Sequence, residues 1–281
     1  MLGRTIRFYS ESISKKNKQR FISRFNVNWL NEVSKNVDFK VVSFSGGKQF
    51  EDQVYSIASF IKNVGKPFSW IIYNDGSYNS TQVGFLEKIQ NVQVQNIDLK
   101  NSALPIKILE EQPTLKKVEI LIKHQNDKNT IFTDSDILFY RNFSTLFRID
   151  SDRNYYLVDE GNGYFDEDFM NEYPKIDSPF NFGLIFLNSE IDMSSVVSYI
   201  LEKIESKKLG YWSDQTAFQK LVMQDHRFQP LDRNLFRVGG SDAFKLSHCV
   251  DYNKIALRHF VGPVRHKMWQ YPWRKVLGIN R

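Results

Sequence analysis

Residues 129–139 read Asn-Thr-Ile-Phe-Thr-Asp-Ser-Asp-Ile-Leu-Phe, an apolar β-type run that places Asp134 and Asp136 at the end of a strand. Because side chains alternate along an extended segment, both carboxylates point to one side and Ser135 points away. Like charges repel, so this pair is favourable mainly when a divalent cation lies between them. Mg²⁺ and Mn²⁺ accept carboxylates together with the phosphates of a substrate. The segment predicts a metal site and a diphosphate partner; the alternative is an Asp-Ser-Asp turn that ends the strand.

Upstream of this segment, β-type runs alternate with amphipathic helical runs. Strands are predicted at 39–44, 67–73, 92–97 and 130–133, and helices at 51–62, 80–89 (capped by Ser80 or Thr81) and 114–124. Repeated strand–helix–strand units form a sheet that binds ligands where its strands end. The predicted fold class is therefore α/β, with a mostly parallel central sheet flanked by helices.

Three loops should meet at that edge of the sheet: residues 45–47 (Ser-Gly-Gly), residues 74–77 (Asn-Asp-Gly-Ser) and the Asp pair. Gly46, next to Ser45, would let the backbone approach a flat base closely, and Asp75 could accept hydrogen bonds from a base or a ribose. Taken singly, each is better explained as a turn residue. The sequence contains neither Gly-x-Gly-x-x-Gly nor a P-loop pattern, which disfavours dinucleotide-binding and P-loop proteins.

Composition limits the class of protein. The chain has 281 residues, a formal charge of +6 and one cysteine, Cys249. This length fits one large domain, and a single cysteine excludes an internal disulfide and any cysteine-based zinc cluster. The sequence has no run of 18 apolar residues and no signal-peptide core at its start, so a cytoplasmic protein is expected. The positive charge admits nucleic acid, an anionic membrane or a nucleotide diphosphate as partner.

Two later β-type runs carry polar side chains suited to a sugar site. The strand predicted at 180–188 contains Asn181, whose amide could bond sugar hydroxyls or be purely structural, and Gly183, which leaves room beside it. The run at 155–158 ends at Asp159 and Glu160, which are candidates for acceptor contact or for a general base.

A helix is predicted to begin at Ser213, with this serine as its cap. Asp214 and Gln215 would then lie in the first turn, where a negative charge is favourable in any case. Residues 161–179 are polar and aromatic without periodicity, which suits either an acceptor-binding loop or a long loop anchored to the surface.

Taken in order, six segments resemble one enzyme family. They are 45–47 (Ser-Gly-Gly), 74–77 (Asn-Asp-Gly-Ser), 134–136 (Asp-Ser-Asp), 180–183 (Phe-Asn-Phe-Gly), 214–215 (Asp-Gln) and 259–265 (His-Phe-Val-Gly-Pro-Val-Arg). The ordered set, within about 39–269, resembles the A-type nucleotide-sugar glycosyltransferases. Its spacing is most similar to the family-8-like branch that includes glycogenin and bacterial lipopolysaccharide galactosyltransferases. The resemblance implies the nucleotide-diphospho-sugar transferase fold, a UDP-sugar donor, and Mn²⁺ or Mg²⁺ as cofactor.

The resemblance also implies roles for individual residues. These are metal binding by Asp134, Asp136 and His259, contact of Asp214 and Gln215 with the donor sugar, and contact of Lys117, Gly262, Arg265 or Lys267 with the diphosphate. The family usually has lysine at the position of Arg265, so whether Arg265 or Lys267 contacts phosphate stays open. The Asn-Asp-Gly-Ser segment looks closer to inverting family-2 enzymes, so the stereochemical outcome is not inherited.

The function predicted is that of a metal-dependent glycosyltransferase that moves a sugar from a nucleotide diphosphate to a glycan or glycolipid acceptor, without a nucleic-acid partner. One domain is expected over 1–281, with a nucleotide-binding part at about 39–140, an acceptor-side part at about 150–260 and a basic aromatic tail at about 264–281. The tail suits either peripheral contact with the inner membrane face or packing against the domain. Two alternatives are a nucleotidyltransferase and a non-catalytic module that binds sugar or nucleic acid.

Overall fold

The computed structural model describes residues 2–144, 152–161 and 164–270. The helices are α1 (Leu2–Arg24), α2 (Val27–Asn31), α3 (Phe50–Asn63), α4 (Ser80–Leu86), α5 (Ile106–Glu111), α6 (Lys116–Lys123), α7 (Glu167–Glu172), α8 (Ser194–Glu205) and α9 (Ser213–Gln224). The strands are β1 (Asn36–Ser45), β2 (Lys66–Asn74), β3 (Val92–Asn96), β4 (Thr130–Thr133), β5 (Ile137–Phe139), β6 (Asn154–Val158), β7 (Phe180–Leu187), β8 (Phe228–Pro230), β9 (Phe236–Val238) and β10 (Leu257–His259). Short 3₁₀ helices occupy Gly47–Gln49, Pro113–Leu115 and Gly262–Gln270.

Seven strands form the central sheet in the order β3-β2-β1-β4-β7-β6-β8, and β5, β10 and β9 form a second sheet. β3, β2, β1 and β4 are parallel. β7 is antiparallel to both of its neighbours, whereas β8 is parallel to β6. The predicted α/β class with a mostly parallel central sheet is confirmed. Because β1, β2 and β4 are parallel, the loops that follow them lie at the same edge of the sheet.

Apolar residues cover both faces of the central sheet. Val41 and Ile131 belong to a core shared with α1, α3 and the second sheet, whereas the next residues, Val42 and Phe132, belong to a core shared with α6, α8 and α9. This alternation follows from the two-residue period of a strand. β7, in the middle of the sheet, is buried at every position, which explains why most of its residues are apolar. The division of the chain at about 140–150 into two functional parts stays a prediction.

Two predicted helix caps are wrong. The helix predicted at 80–89 is capped one residue earlier, where the Asn79 side chain accepts from the Gln82 N–H (2.9 Å) and Gln82 accepts in return from the Asn79 N–H (3.1 Å). Ser213 is the first helical residue of α9 rather than its cap, and its hydroxyl donates to Asp166 (3.1 Å). In both places the residue before the serine occupies the cap position, which the sequence pattern locates only to within a residue or two.

Helix α1 has no counterpart among the predicted elements, and it packs on the 3₁₀ helix at Gly262–Gln270. Trp269 of that helix is fully buried against Phe21 and Tyr55, and its indole N–H donates to Asp52 (2.5 Å). At Trp269 the tail therefore packs against the domain, which was one of the two interpretations, and does not offer this side chain to a membrane. The remaining tail residues, 271–281, lie outside the described residues. Across the described ranges, no helix has both the length and the apolar character needed to cross a bilayer.

Candidate active site

A cavity of about 740 Å³ lies where β1, β2 and β4 end. Two backbone hydrogen bonds hold its floor together. The Asp134 N–H donates to the Gly183 carbonyl oxygen on β7 (2.9 Å), and the Phe260 N–H donates to the Asp136 carbonyl oxygen (2.9 Å). Twelve predicted site residues line this cavity: Ser45, Asp75, Lys117, Asp134, Asp136, Asp159, Asn181, Asp214, Gln215, His259, Gly262 and Arg265.

The two aspartates meet for a different reason from the one predicted. Residues 134–136 form the turn between β4 and β5 rather than an extended strand end. Ser135 lines the cavity beside Asp134 and Asp136 instead of pointing away from it. The turn, and not side-chain alternation along a strand, therefore brings the carboxylates together.

His259, the last residue of β10, is oriented by Asn181. The Asn181 amide has a defined orientation, because its Oδ1 accepts from the Gly183 N–H (2.9 Å) and its Nδ2 donates to the Asp159 carboxylate (3.0 Å). The same Oδ1 lies 2.8 Å from His259 Nδ1. Since a carbonyl oxygen can only accept, Nδ1 carries a proton. His259 Nε2 is thereby directed at Asp136 Oδ1, 3.0 Å away. Asn181 thus positions a histidine. Of its two interpretations, a structural role and contact with sugar hydroxyls, these hydrogen bonds match the structural role.

Each aspartate has one oxygen on a basic side chain and the other facing His259. Asp134 Oδ1 accepts from Lys117 Nζ (2.6 Å), and Asp136 Oδ2 accepts from Arg265 Nε (3.0 Å). The second oxygens lie 3.7 Å (Asp134 Oδ2) and 3.0 Å (Asp136 Oδ1) from His259 Nε2.

The charges in this group stabilise one another. Burial favours the neutral form of Asp136, yet His259 and Arg265 hold the pKa of Asp136 well below its ordinary value. Asp136 in turn raises the pKa of Arg265. Burial lowers the pKa of Lys117, but the attraction of Asp134 is stronger overall and raises it. Asp136, Lys117 and Arg265 therefore stay charged at neutral pH.

The donor set fits a divalent metal ion. Asp134, Asp136 and His259 each offer one ligand atom, and these atoms lie within 4.8 Å of one another. Carboxylate oxygens and an imidazole nitrogen with a free lone pair are suitable ligands for first-row divalent ions. Each of the three side chains also has a partner on its other side, which is how protein metal ligands are commonly oriented. The described residues can therefore hold a divalent cation here.

Asp214 and Gln215 lie in the first turn of α9, on the wall of the same cavity. Burial raises the pKa of Asp214 to about 6, although Lys117 acts in the opposite direction. The Gln215 side chain donates from Nε2 to the Tyr164 carbonyl oxygen (3.0 Å). The wall thus carries a carboxyl group whose proton can leave near neutral pH.

The loops after β1 and β2 form the opposite part of the lining. Ser45 and Asp75 line the cavity, and Asp75 Oδ1 accepts from both the N–H (2.8 Å) and the hydroxyl (2.6 Å) of Ser77. Gly46 does not line it. A Cβ on Gly46 would lie 2.1 Å from Asp75 Oδ1, so glycine here makes room for Asp75 and not, as predicted, for a flat base.

Two further predicted residues lie outside the cavity. Lys267 is fully buried, and its ammonium group donates to backbone carbonyl oxygens of residues 245–247. Of the two cations considered for phosphate contact, Arg265 lines the cavity and Lys267 does not. Glu160 pairs with Arg237 (3.0 Å) instead of facing the cavity. Both corrections have one cause, since a neighbouring partner holds each charged group away from the lining.

Besides Phe44 and Phe182, three aromatic residues line the cavity without having been named as site residues: Tyr164, Tyr211 and Trp212. All three are exposed. The signal available in the sequence is that Tyr211 and Trp212 come just before the Asp-Gln pair on the same segment. Tyr164 belongs to the segment 161–179, for which an acceptor-binding loop was one interpretation, whereas no sequence signal separated Tyr211 and Trp212 from buried aromatic residues.

Residues 115–266 match the family model of the nucleotide-diphospho-sugar transferases. The match covers more than half of the chain and includes the three candidate metal ligands, Asp134, Asp136 and His259. The chain belongs to this family and is a glycosyltransferase with the A-type fold, as the ordered motifs predict. Membership of the family decides against the nucleotidyltransferase and the non-catalytic module. No curated protein matches the sequence significantly.

Solved structures with a similar fold are also glycosyltransferases. They include the galactosyltransferase LgtC in complex with donor and acceptor sugar analogues (13% identity, TM-score 0.57, covering 85% of this chain and 95% of that chain). Others are the glycosyltransferase GlyE of Streptococcus pneumoniae TIGR4 (14% identity, TM-score 0.56, 86% and 63%) and mouse xyloside xylosyltransferase 1 (13% identity, TM-score 0.53, 81% and 99%). At these identities the likeness shows the fold alone.

Proposed function

We propose that this chain is a metal-dependent glycosyltransferase that transfers a sugar from a UDP-sugar to a hydroxyl group of a glycan or glycolipid. The observation that carries the proposal is the convergence of one oxygen each from Asp134 and Asp136 with Nε2 of His259. Two carboxylate oxygens and an imidazole nitrogen that meet in this way form a suitable donor set for a divalent cation. An imidazole ligand favours Mn²⁺ over Mg²⁺, which prefers oxygen ligands more strictly.

When bound, the metal would act as a Lewis acid that neutralises the charge developing on the departing diphosphate. Lys117 and Arg265 hold the outer oxygens of the aspartates and place two fixed positive charges beside the same position. Asn181 keeps the proton of His259 on Nδ1, so Nε2 remains a ligand. These groups are held before substrate binds, which lowers the cost of reorganising them during the reaction.

The donor and acceptor would occupy different parts of the cavity. We assign Ser45 and Asp75 to the nucleoside, because they line the cavity where β1 and β2 end. Asp214 and Gln215 would contact the sugar that is transferred. Asp159 is the candidate for the acceptor hydroxyl: it lines the cavity, and its oxygens accept only single hydrogen bonds from the Glu160 N–H (2.8 Å) and from Asn181 among the described contacts.

Calorimetric titration with UDP and with GDP, each with Mn²⁺, with Mg²⁺ and with a chelator, tests this proposal. UDP should bind in the presence of Mn²⁺, and the chelator should abolish most of the binding. Asp136→Asn should weaken Mn²⁺-dependent UDP binding by about 100-fold or more, because it removes a ligand charge. Asp38→Asn is the matched control, since Asp38 is exposed near the start of β1, away from the cavity.

Two results would contradict the proposal. One is UDP binding that the chelator leaves unchanged, and the other is an Asp136→Asn variant that binds Mn²⁺ and UDP like the parent protein. Preferential binding of GDP would leave the metal site in place and correct the assignment of the nucleotide.

A further inference from the structure

Three aromatic side chains form one exposed surface in the cavity lining, here called the aromatic platform: Tyr164, Tyr211 and Trp212. Their exposed fractions are 57%, 66% and 38%. The Tyr164 and Trp212 rings are stacked, with centroids 4.9 Å apart and planes inclined by 24°. Tyr211 meets Trp212 edge to face, with centroids 4.6 Å apart. Contiguous exposed aromatic surface of this kind indicates a binding site, because leaving it in contact with water is unfavourable.

The platform is fixed relative to the candidate catalytic residues. The Gln215 side chain donates to the Tyr164 carbonyl oxygen (3.0 Å). Next along the chain, the Asp166 N–H donates to the Thr216 hydroxyl (2.8 Å), and the Asp166 carboxylate accepts from the Ser213 hydroxyl (3.1 Å). The segment that carries Tyr164 is thereby tied to the first turn of α9, directly after the other two platform residues. A ligand on the platform would be held at a constant distance from the Asp-Gln pair.

The charges around the cavity indicate the class of ligand. Among the described lining residues, the lysine and arginine side chains are Lys117 and Arg265, and both are paired with the aspartates of the metal group. The platform instead adjoins Asp214 along the chain. A diphosphate therefore fits the metal end of the cavity, whereas an anionic ligand on the platform would find no unpaired lysine or arginine among the described lining residues.

We propose that the aromatic platform binds the apolar face of an uncharged pyranose ring of a glycan acceptor. This inference rests on the proposed function, because it assigns the acceptor of the same reaction. A pyranose ring presents C–H groups on one face and hydroxyl groups around its rim. An aromatic surface covers the C–H face, while carboxylates and amides bond the hydroxyls, which is the usual composition of a ligand site. The acceptor is therefore a neutral glycan rather than an acidic one.

The test is binding of a defined panel of glycans, measured by saturation-transfer NMR and calorimetry with UDP and Mn²⁺ present. The panel contains four uncharged glycans (lactose, cellobiose, maltotriose and tri-N-acetylchitotriose) and one acidic glycan, trigalacturonic acid. At least one uncharged glycan should bind, and the acidic one should not. Tyr211→Ala and Trp212→Ala should each weaken that glycan's affinity about tenfold or more relative to the affinity for UDP. Trp212→Phe keeps an aromatic ring and should therefore lose less glycan affinity than Trp212→Ala.

Phe68→Ala is the matched control, because Phe68 is a similarly exposed aromatic (55%) on β2 that does not line the cavity. It should leave glycan affinity unchanged. If Trp212→Ala does not fold, Tyr211→Ala carries the test, since Tyr211 is the most exposed of the three. Failure of every uncharged glycan to bind, stronger binding of the acidic glycan, or equal glycan affinity in the parent and Tyr211→Ala would overturn the inference. If the parent protein shows no Mn²⁺-dependent UDP binding, that result would instead contradict the proposed function.

Discussion

Gly183 of β7 has no side chain with which to hold a substrate or a metal ion, yet it should control the metal site. A Cβ atom on this residue would lie 2.1 Å from His259 Nδ1 and 2.8 Å from Asn181 Oδ1, whereas ordinary contact begins at 3.4 Å. In Gly183→Ala the imidazole must therefore move by about 1 Å or more, since Gly183 sits in a fully buried strand that cannot yield easily. That movement breaks the hydrogen bond that keeps the proton on Nδ1.

The expected effect is a large loss of metal binding with a moderate loss of stability. A misplacement of about 1 Å in a preorganised site costs on the order of 100-fold, so Mn²⁺ affinity should fall by about that factor although all three ligands are present. Overpacking of a buried site costs about 1–3 kcal/mol of unfolding free energy. The control is Gly84→Ala in α4, where a Cβ meets nothing within 4 Å. This change should stabilise the protein slightly, because alanine favours a helix.

The assay is titration with Mn²⁺ followed by the electron paramagnetic resonance of the free ion, together with calorimetry of UDP binding. Urea unfolding of each variant separates loss of the site from loss of the fold. The reasoning is refuted if folded Gly183→Ala binds Mn²⁺ with the affinity of the parent, because His259 would then not need its present position to bind the ion.

Three further predictions follow from other groups. Burial keeps Asp214 protonated up to about pH 6 in the folded chain, against about 4 when unfolded. The parent should therefore lose roughly 3 kcal/mol of stability relative to Asp214→Asn as pH rises from about 3 to about 7; urea unfolding at each pH checks this, and parallel profiles would contradict it. Arg258→Met leaves the buried Asp242, 2.7 Å from the guanidinium in the parent, without its charge partner. This change should lower the free energy of unfolding by about 3–5 kcal/mol at pH 7, and by less at a pH low enough to protonate Asp242 in the variant. Urea unfolding at the two pH values measures this, and an equal loss at both pH values would count against the pairing. Arg265→Gln should weaken Mn²⁺-dependent UDP binding about tenfold or more, whereas Lys267→Gln should lower the melting temperature without that loss; calorimetry and thermal unfolding distinguish the two, and the reverse result would place the phosphate contact at Lys267.

Much of the fold could be predicted because its signals are local. The apolar runs 39–44, 67–73 and 130–133 correspond to β1, β2 and β4, and helix 51–62 differs from α3 by one residue at each end. Alternation of apolar residues and glycine-containing turns act over a few positions, so they are legible without tertiary contacts. The segment before Arg24 has no such periodicity, since α1 buries isolated residues such as Phe21 against a tail far away in the sequence.

The sequence by itself determined the fold class, the order of the motifs and the residue types of the site. Tertiary structure alone decided which side chains enter the cavity. Arg265 and Lys267 lie two residues apart in a 3₁₀ helix, where each residue turns by about 120°, so they point in different directions. Which of them faces Asp136 depends on how that helix packs on α1 and α3. The carboxylate turn, the tautomer of His259 and the exposure of the platform likewise depend on contacts between remote segments, which no local pattern encodes.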